Sequence, residues 1–413
     1  ADAPSAAIQN IPHYEPDGTP PSGLFCKLYF RCVLNIRKYA NTAGEKHNTL
    51  YKTSYEKEKP DMIYFDNAAT TPPVPGAFGA ATQCAIFGNP SSAHAVGREA
   101  KAELESCRAI IADKLNCKPD EVYFTSGATE ACNWMVRCLR LETDAINYND
   151  TVHHAVSEAA RSYLVPIATH GKPSAILSLV NNETGQISDV DAFCRKNRPH
   201  RIALDATAAV GHIPVDFKAL GADYMAFGGH KFGSLKGIGA LIVKEGCPIA
   251  PMIFGGAQER CMRGGTVSVP LVSSMAAALT WRSLHMAENE KAIRAVAQEL
   301  IISLGCHRVD FDINLPGGKS SKDCAPHILS IRFPGVYGAA LAAALSENGV
   351  MVSTGSACSS GDNAASANLM ASGLTEQQAL ETIRFSFDWY NTTKEAAEAA
   401  GIIADIVPTL RRG

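Results

Sequence analysis

The chain has 413 residues, a formal net charge of −3, and 46% hydrophobic against 19% charged side chains. That length exceeds one simple core and predicts two domains, or one large α/β unit with a satellite. The charge excludes a nucleic-acid binder that works through a strong global positive field. No apolar run is long enough to span a bilayer, so no membrane insertion is expected. The 13 cysteines are scattered, with no CxxC pair and no Cys/His cluster at zinc spacing. They predict reduced thiols, no metal centre and a cytoplasmic protein, with a mitochondrion or related organelle as the alternative.

Residues 1–61 differ in texture from the rest: a polar, proline-containing start, then a basic stretch with interspersed aromatics. They predict an amino-terminal extension, partly irregular. From Met62 the pattern becomes regular, and residues 62–272 are expected to form a large domain. MIYFDNAATTPPVP reads as a short strand running into a turn, and the helical spacing from Gly76 to Leu115 is broken at GNPSS. EVYFTSGATEACNWMVRCLR reads as strand, turn and helix. The amides of Gly127, Ala128 and Thr129 then sit at a helix N-terminus, which suits an anion.

Further on, AILSLVNNETGQ, RIALDATAAVG, YMAFGGHKFG and GIGALIVKEG are short apolar runs, each followed by a polar loop, with DVDAFCRKN as a helix between the first two. They predict a central, mostly parallel sheet, whose ligand would lie beyond the carboxyl ends of its strands. PLVSSMAAALTWRSLHMAENEKAIRAVAQELIISL reads as a long helical region that links the large domain to a smaller α+β domain, residues 273–413. There HILSIRFPG and IRFSF are expected strands, and TKEAAEAAGIIADIVPTLRR a final amphipathic helix.

The chemistry centres on Lys231, in MAFGGHKFGSLKGIG. Glycines around a lysine let the backbone aim its amine, and partial desolvation would make that amine a nucleophile toward an aldehyde. A solvated lysine in a surface turn has the same local sequence. A pyridoxal-phosphate enzyme needs more than a lysine: a carboxylate for the pyridine nitrogen, a helix N-terminus for the phosphate and an aromatic group on the ring. Asp205, the Thr129 turn and His153 offer these at expected strand ends.

At this point residues from about Tyr64 to Leu410 resemble the cysteine desulfurases of the class-V aminotransferase group, fold type I pyridoxal-phosphate enzymes. The motifs are YFDNAATTP, GNPSSAHAVGREA, FTSGATEACN, NNETGQI, LDATAAVGHIPVD, GGHKFGSLKGIGAL, FGGAQERCMRGGT, STGSACSSG and IRFSFDWYNT, in family order. The resemblance implies Lys231 as the Schiff-base lysine, Asp205 as partner of the pyridine nitrogen and His153 as the residue stacked on the ring. It implies Ala128 and Thr129 at the phosphate, His230 touching it, and Thr266 reaching the phosphate of a neighbouring subunit in a homodimer. Asn182 is implied near cofactor and substrate, and Arg384 as the clamp on the substrate carboxylate. Cys358, in a loop of small residues, is implied as the thiolate that takes sulfur from L-cysteine as a persulfide and leaves alanine. The acceptor would be an iron–sulfur scaffold or another sulfur carrier.

The chain departs from the family pattern at several places. Ala208 stands where a glutamine usually meets the ring oxygen, Gly228 where a serine binds phosphate, and Val152 where a glutamate precedes the stacking histidine. His154 beside His153 leaves open which of the two stacks, and the segment between His154 and Asn181 is short by about one strand and turn. The alternatives are a selenocysteine lyase, a true aminotransferase, or a catalytically impaired scaffold homologue that binds partners through its basic arm.

Overall fold

The computed structural model describes residues 62–83, 87–143, 145–148, 151–163, 172–315, 323–354 and 364–411. Among them, no helix is long and apolar enough to cross a membrane. Cys358 and the amino-terminal stretch lie outside the described residues.

Six strands form the central sheet: β2 (Val122–Thr125), β3 (Ile146–Tyr148), β4 (Ser174–Ser178), β5 (Ile202–Asp205), β6 (Tyr224–Gly228) and β7 (Gly239–Val243), in the order β2-β7-β6-β5-β4-β3. The pairs β3–β4, β4–β5 and β5–β6 are parallel, while β7 runs antiparallel to both its neighbours. β2, β4, β5 and β6 therefore all end at the same edge. Every residue of β2, β4, β5, β6 and β7 is buried, which is why these strands read as unbroken apolar runs. β3, short and half-exposed with Asn147 in its middle, gave no such signal.

Helices cover both faces. On one side, α2 (Ala95–Leu115) and α6 (Val269–Leu284) bury Ile111, Val272 and Met275 with Leu204, Phe227 and Ile242. On the other, α3 (Ala128–Leu139) and α4 (His154–Ser162) bury Trp134, Met135 and Val156 against Ile176 and Leu241. The expected long helical region consists of two successive helices. α6 stops at Leu284, and α7 (Met286–Cys306) starts beyond His285, whose non-helical backbone caps both.

A second core gathers Leu300 and Leu304 of α7 with the antiparallel sheet β11-β9-β8, formed by Thr382–Ser386 (β11), Ile328–Arg332 (β9) and Asp312–Ile313 (β8). The C-terminal helix α11 (Thr393–Leu410) packs on it through Ala399, Ile403 and Val407. Ile63 and Phe65 belong to this core as well. β1 (Ile63–Tyr64) pairs in parallel with β10 (Val350–Met351), so the start of the described chain is tied to its distal part.

Candidate active site

At the shared strand edge opens a cavity of about 570 Å³. Its floor is set by the turn after β6. Residues Gly229–Lys231 form one 3-10 turn, and Gly233 follows with φ +88°, where a Cβ would lie 2.5 Å from Val74 Cγ1. Only glycine passes there, which fixes where the lysine's segment leaves the sheet. Lys231 Nζ donates to the carbonyls of Ala68 and Ala69, at 2.7 and 2.9 Å. Its own carbonyl accepts from His212 Nε2 at 2.8 Å, and that of Phe232 from Arg282 Nε at 2.9 Å. Arg282 is in turn paired with Asp388, and both are almost wholly buried. The lysine is thus held at its backbone and at its amine.

His153 stands one residue before α4 and caps it: its Nδ1 accepts from the Ala155 amide at 3.1 Å. The bond leaves Nδ1 unprotonated. Burial pushes the ring's pKa down, with Lys231 and His154 adding to the shift and Asp205 opposing it. A neutral, half-buried imidazole therefore lines the cavity together with Asp205 and Lys231. His154, the first helical residue, is exposed and does not line the cavity, so the geometry separates the two histidines. Asp205, the last residue of β5, is buried and accepts from the Thr207 amide at 3.0 Å.

The entrance of α3 forms another wall. Gly127 is its N-cap and carries no side chain, so the first helical amides, from Ala128 and Thr129, have no cap. Glu130 accepts from the Ser126 amide at 2.8 Å and from Arg263 at 2.9 Å. Burial opposes its charge, but Arg263 and Ser126 outweigh it and hold the carboxyl below its usual range. Gly228 faces this entrance: a Cβ there would lie 3.1 Å from the Ala128 nitrogen. His230 places Nδ1 3.2 Å from Thr70 Oγ1, and burial, with Lys231 and Lys236, pushes its pKa down to about 4.

Opposite the sheet, Arg384 of β11 reaches in from the second core. It donates to the Asn182 carbonyl at 2.9 Å and to Asp66 at 2.8 Å, while its Nε is buried with no partner. Of the neighbouring asparagines, Asn181 is spent internally, accepting from the Glu183 and Thr184 amides, and Asn182 lines the cavity. Asn368 donates to Asn182 Oδ1 at 3.3 Å and to the Thr151 carbonyl at 3.1 Å, joining the two loops.

Lys231, Asp205, His153, Ala128, Thr129, Asn182, His230 and Arg384 thus line one recess. Thr266 is exposed and outside it. Ala208 lines it too, beside Thr207, whose Oγ1 is buried without a partner. Sequence reasoning missed Asp66, Asn368 and the carbonyls of Ala68 and Ala69. Asp66 had a signal, because its motif YFDNAATTP stood out.

Comparison with known proteins gives a consistent picture. The profile of the class-V aminotransferase family matches residues 63–164 and 172–398. An IscS-like cysteine desulfurase of Mycobacterium tuberculosis is 33% identical over 386 residues, covering 85% of this chain and 98% of that protein. The cysteine desulfurase IscS of Dictyoglomus turgidum is 32% identical over 380 residues, covering 84% and 95%. A solved NifS-like protein superposes with a TM-score of 0.75 at 28% identity, over 84% of this chain and all of the other.

Proposed function

Since the chain belongs to the class-V aminotransferase family and stands among its cysteine desulfurases, we propose that it converts L-cysteine to L-alanine. The sulfur is carried as a persulfide on Cys358 and passed to an acceptor such as an iron–sulfur scaffold or a sulfur-carrier protein. The observation that carries this reading is the recess itself: an amine, a buried carboxylate, a neutral imidazole and an uncapped helix entrance converge beyond the strand ends.

Pyridoxal phosphate fits these donors. Lys231 Nζ would hold its aldehyde carbon, Asp205 its ring nitrogen, and His153 its ring face. The amides of Ala128 and Thr129 would take its phosphate. The space is there: a Cβ at Gly127 would meet nothing within 4 Å, and the orphaned Thr207 Oγ1 supplies a further polar contact. When bound, the group supplies a ring that accepts the electron pair left at the substrate α-carbon.

The chain's own residues do the rest. Arg384 exchanges part of its grip on Asp66 for the substrate carboxylate, with its unpaired Nε already facing no competitor. Lys231 Nζ takes the Cα proton and returns a proton to carbon. The Cys358 thiolate attacks the substrate sulfur. An S–S bond forms as the substrate Cβ–S bond breaks, and the electron pair stays on carbon, where protonation completes alanine. His230, neutral beside Thr70, can donate one hydrogen bond without adding charge.

Thr266 serves the phosphate of a second copy in this reading. It is exposed and outside its own recess. The test is to quantify alanine and enzyme-bound persulfide from L-cysteine. Wild type is expected to give both and Cys358→Ser no persulfide. Absence of alanine from wild type loaded with pyridoxal phosphate would remove the reading.

A further inference from the structure

Two buried imidazoles unused by the chemistry above stack behind Lys231. The ring centroids of His212 and His327 lie 3.9 Å apart, with planes 10° from parallel. His212 follows Gly211, at φ +79°, where a Cβ would fall 2.5 Å from Phe232 Cβ, so the turn carrying His212 is fitted to the residue after the lysine. His212 Nε2 lies 2.8 Å from the Lys231 carbonyl, which can only accept; the proton therefore sits on Nε2. Its Nδ1 is buried with no partner, and so is Nδ1 of His327.

His327 bonds to the backbone of Ala208, which lines the recess, while its own carbonyl accepts from the Phe387 amide at 2.9 Å. The charged groups that face the pair are Arg282, Asp388, Lys231 and Arg384, and burial keeps both rings below the usual histidine range, His212 at about 4. Two orphaned acceptors are costly to bury. A phenyl ring would fill the same space without them but could not donate to either carbonyl.

We infer that the His212–His327 stack is a positioning unit for the site. Neutral and protonated on Nε2, the two rings hold the carbonyls of Lys231 and Ala208, so that the amine's backbone and the neighbouring wall are set by one stacked pair tied to the second core. This rests on Lys231 being the cofactor lysine.

The test uses the full chain loaded with pyridoxal phosphate, titrating the visible band of the lysine-bound cofactor against pH in wild type, His212→Phe, His327→Phe and His212→Gln. Each phenylalanine is expected to shift the midpoint by about half a pH unit or more, roughly a threefold change in the ionisation constant. Gln, whose amide can still donate to Lys231, is expected to restore part of the shift. Folded variants with lowered melting temperatures but unchanged midpoints would overturn the inference, because the pair would then only fill space. If the variants do not fold, histidine 15N spectra of the unmodified chain decide. Two rings fixed as neutral Nε2–H from pH 8 to 5 support the unit; a ring titrating near 6.5 or carrying Nδ1–H refutes it. A wild type that develops no band at all would remove the reading of Lys231 and the inference with it.

Discussion

The seat of Lys231 and the entrance of α3 are two walls of the same recess, built by opposite means. The seat is backed by buried groups and held several times over, by Ala68 and Ala69 at the amine, His212 at the carbonyl, and Arg282 with Asp388 behind Phe232. The entrance is bare: Gly127 has no side chain to cap with, Gly228 has none to reach with, and Ser126 and Thr129 are exposed. Orientation of an amine needs fixed backbone, which buried partners supply. An anion can be held by amides that the helix start leaves free, and few side chains are required.

Several changes would break or sharpen this contrast. Lys231→Ala is expected to cut alanine formation by roughly 100- to 10,000-fold, since in the proposed reaction it removes the acid–base group as well as the anchor. Turnover assays on the purified variant check it. Asp388→Ala leaves Arg282 charged and buried without its partner, and chemical denaturation should register a loss of about 3–5 kcal/mol.

The seat also carries a pH signature. The His212 pKa is about 4 in the folded chain against about 6.5 unfolded. Between those values the unfolded state binds more protons. The contribution is therefore full above about pH 6.5 and is lost as pH falls toward 4, by about 3 kcal/mol. Urea titrations across that window should show it, and His212→Phe should flatten the profile.

The smallest expected effect is a gain, at the bare wall. Gly228→Ser adds a hydroxyl beside the Ala128 amide at the expense of a few tenths of an ångström of adjustment. Cofactor affinity, read by equilibrium titration of the apo chain, should tighten by about fivefold, one hydrogen bond's worth. A similar gain from a substitution in the lysine's seat would contradict the contrast.

What the sequence disclosed follows the same division. The buried strands and the residues at their carboxyl ends were legible, because apolar runs followed by glycine-rich or polar loops are local signals, whereas the order of the strands in the sheet was not. Asp205, Lys231 and the α3 entrance could be placed in one recess from that pattern. The supports could not. Arg282 and Asp388 are 106 residues apart, and Asp66 and Arg384 are 318 apart; nothing local marks either pair. The choice between His153 and His154 needed the start of α4, since one of them is the cap and the other the first residue to face solvent. The break at His285 was hidden by continuous apolar spacing, and β3 by its length and its asparagine.

Where pyridoxal phosphate attaches decides the role of Lys231 most directly. The chain is incubated with the cofactor, reduced with borohydride, digested and mapped by mass spectrometry. One label per chain is expected, on Lys231. A label on Lys236 or any other lysine, or no label, would contradict it.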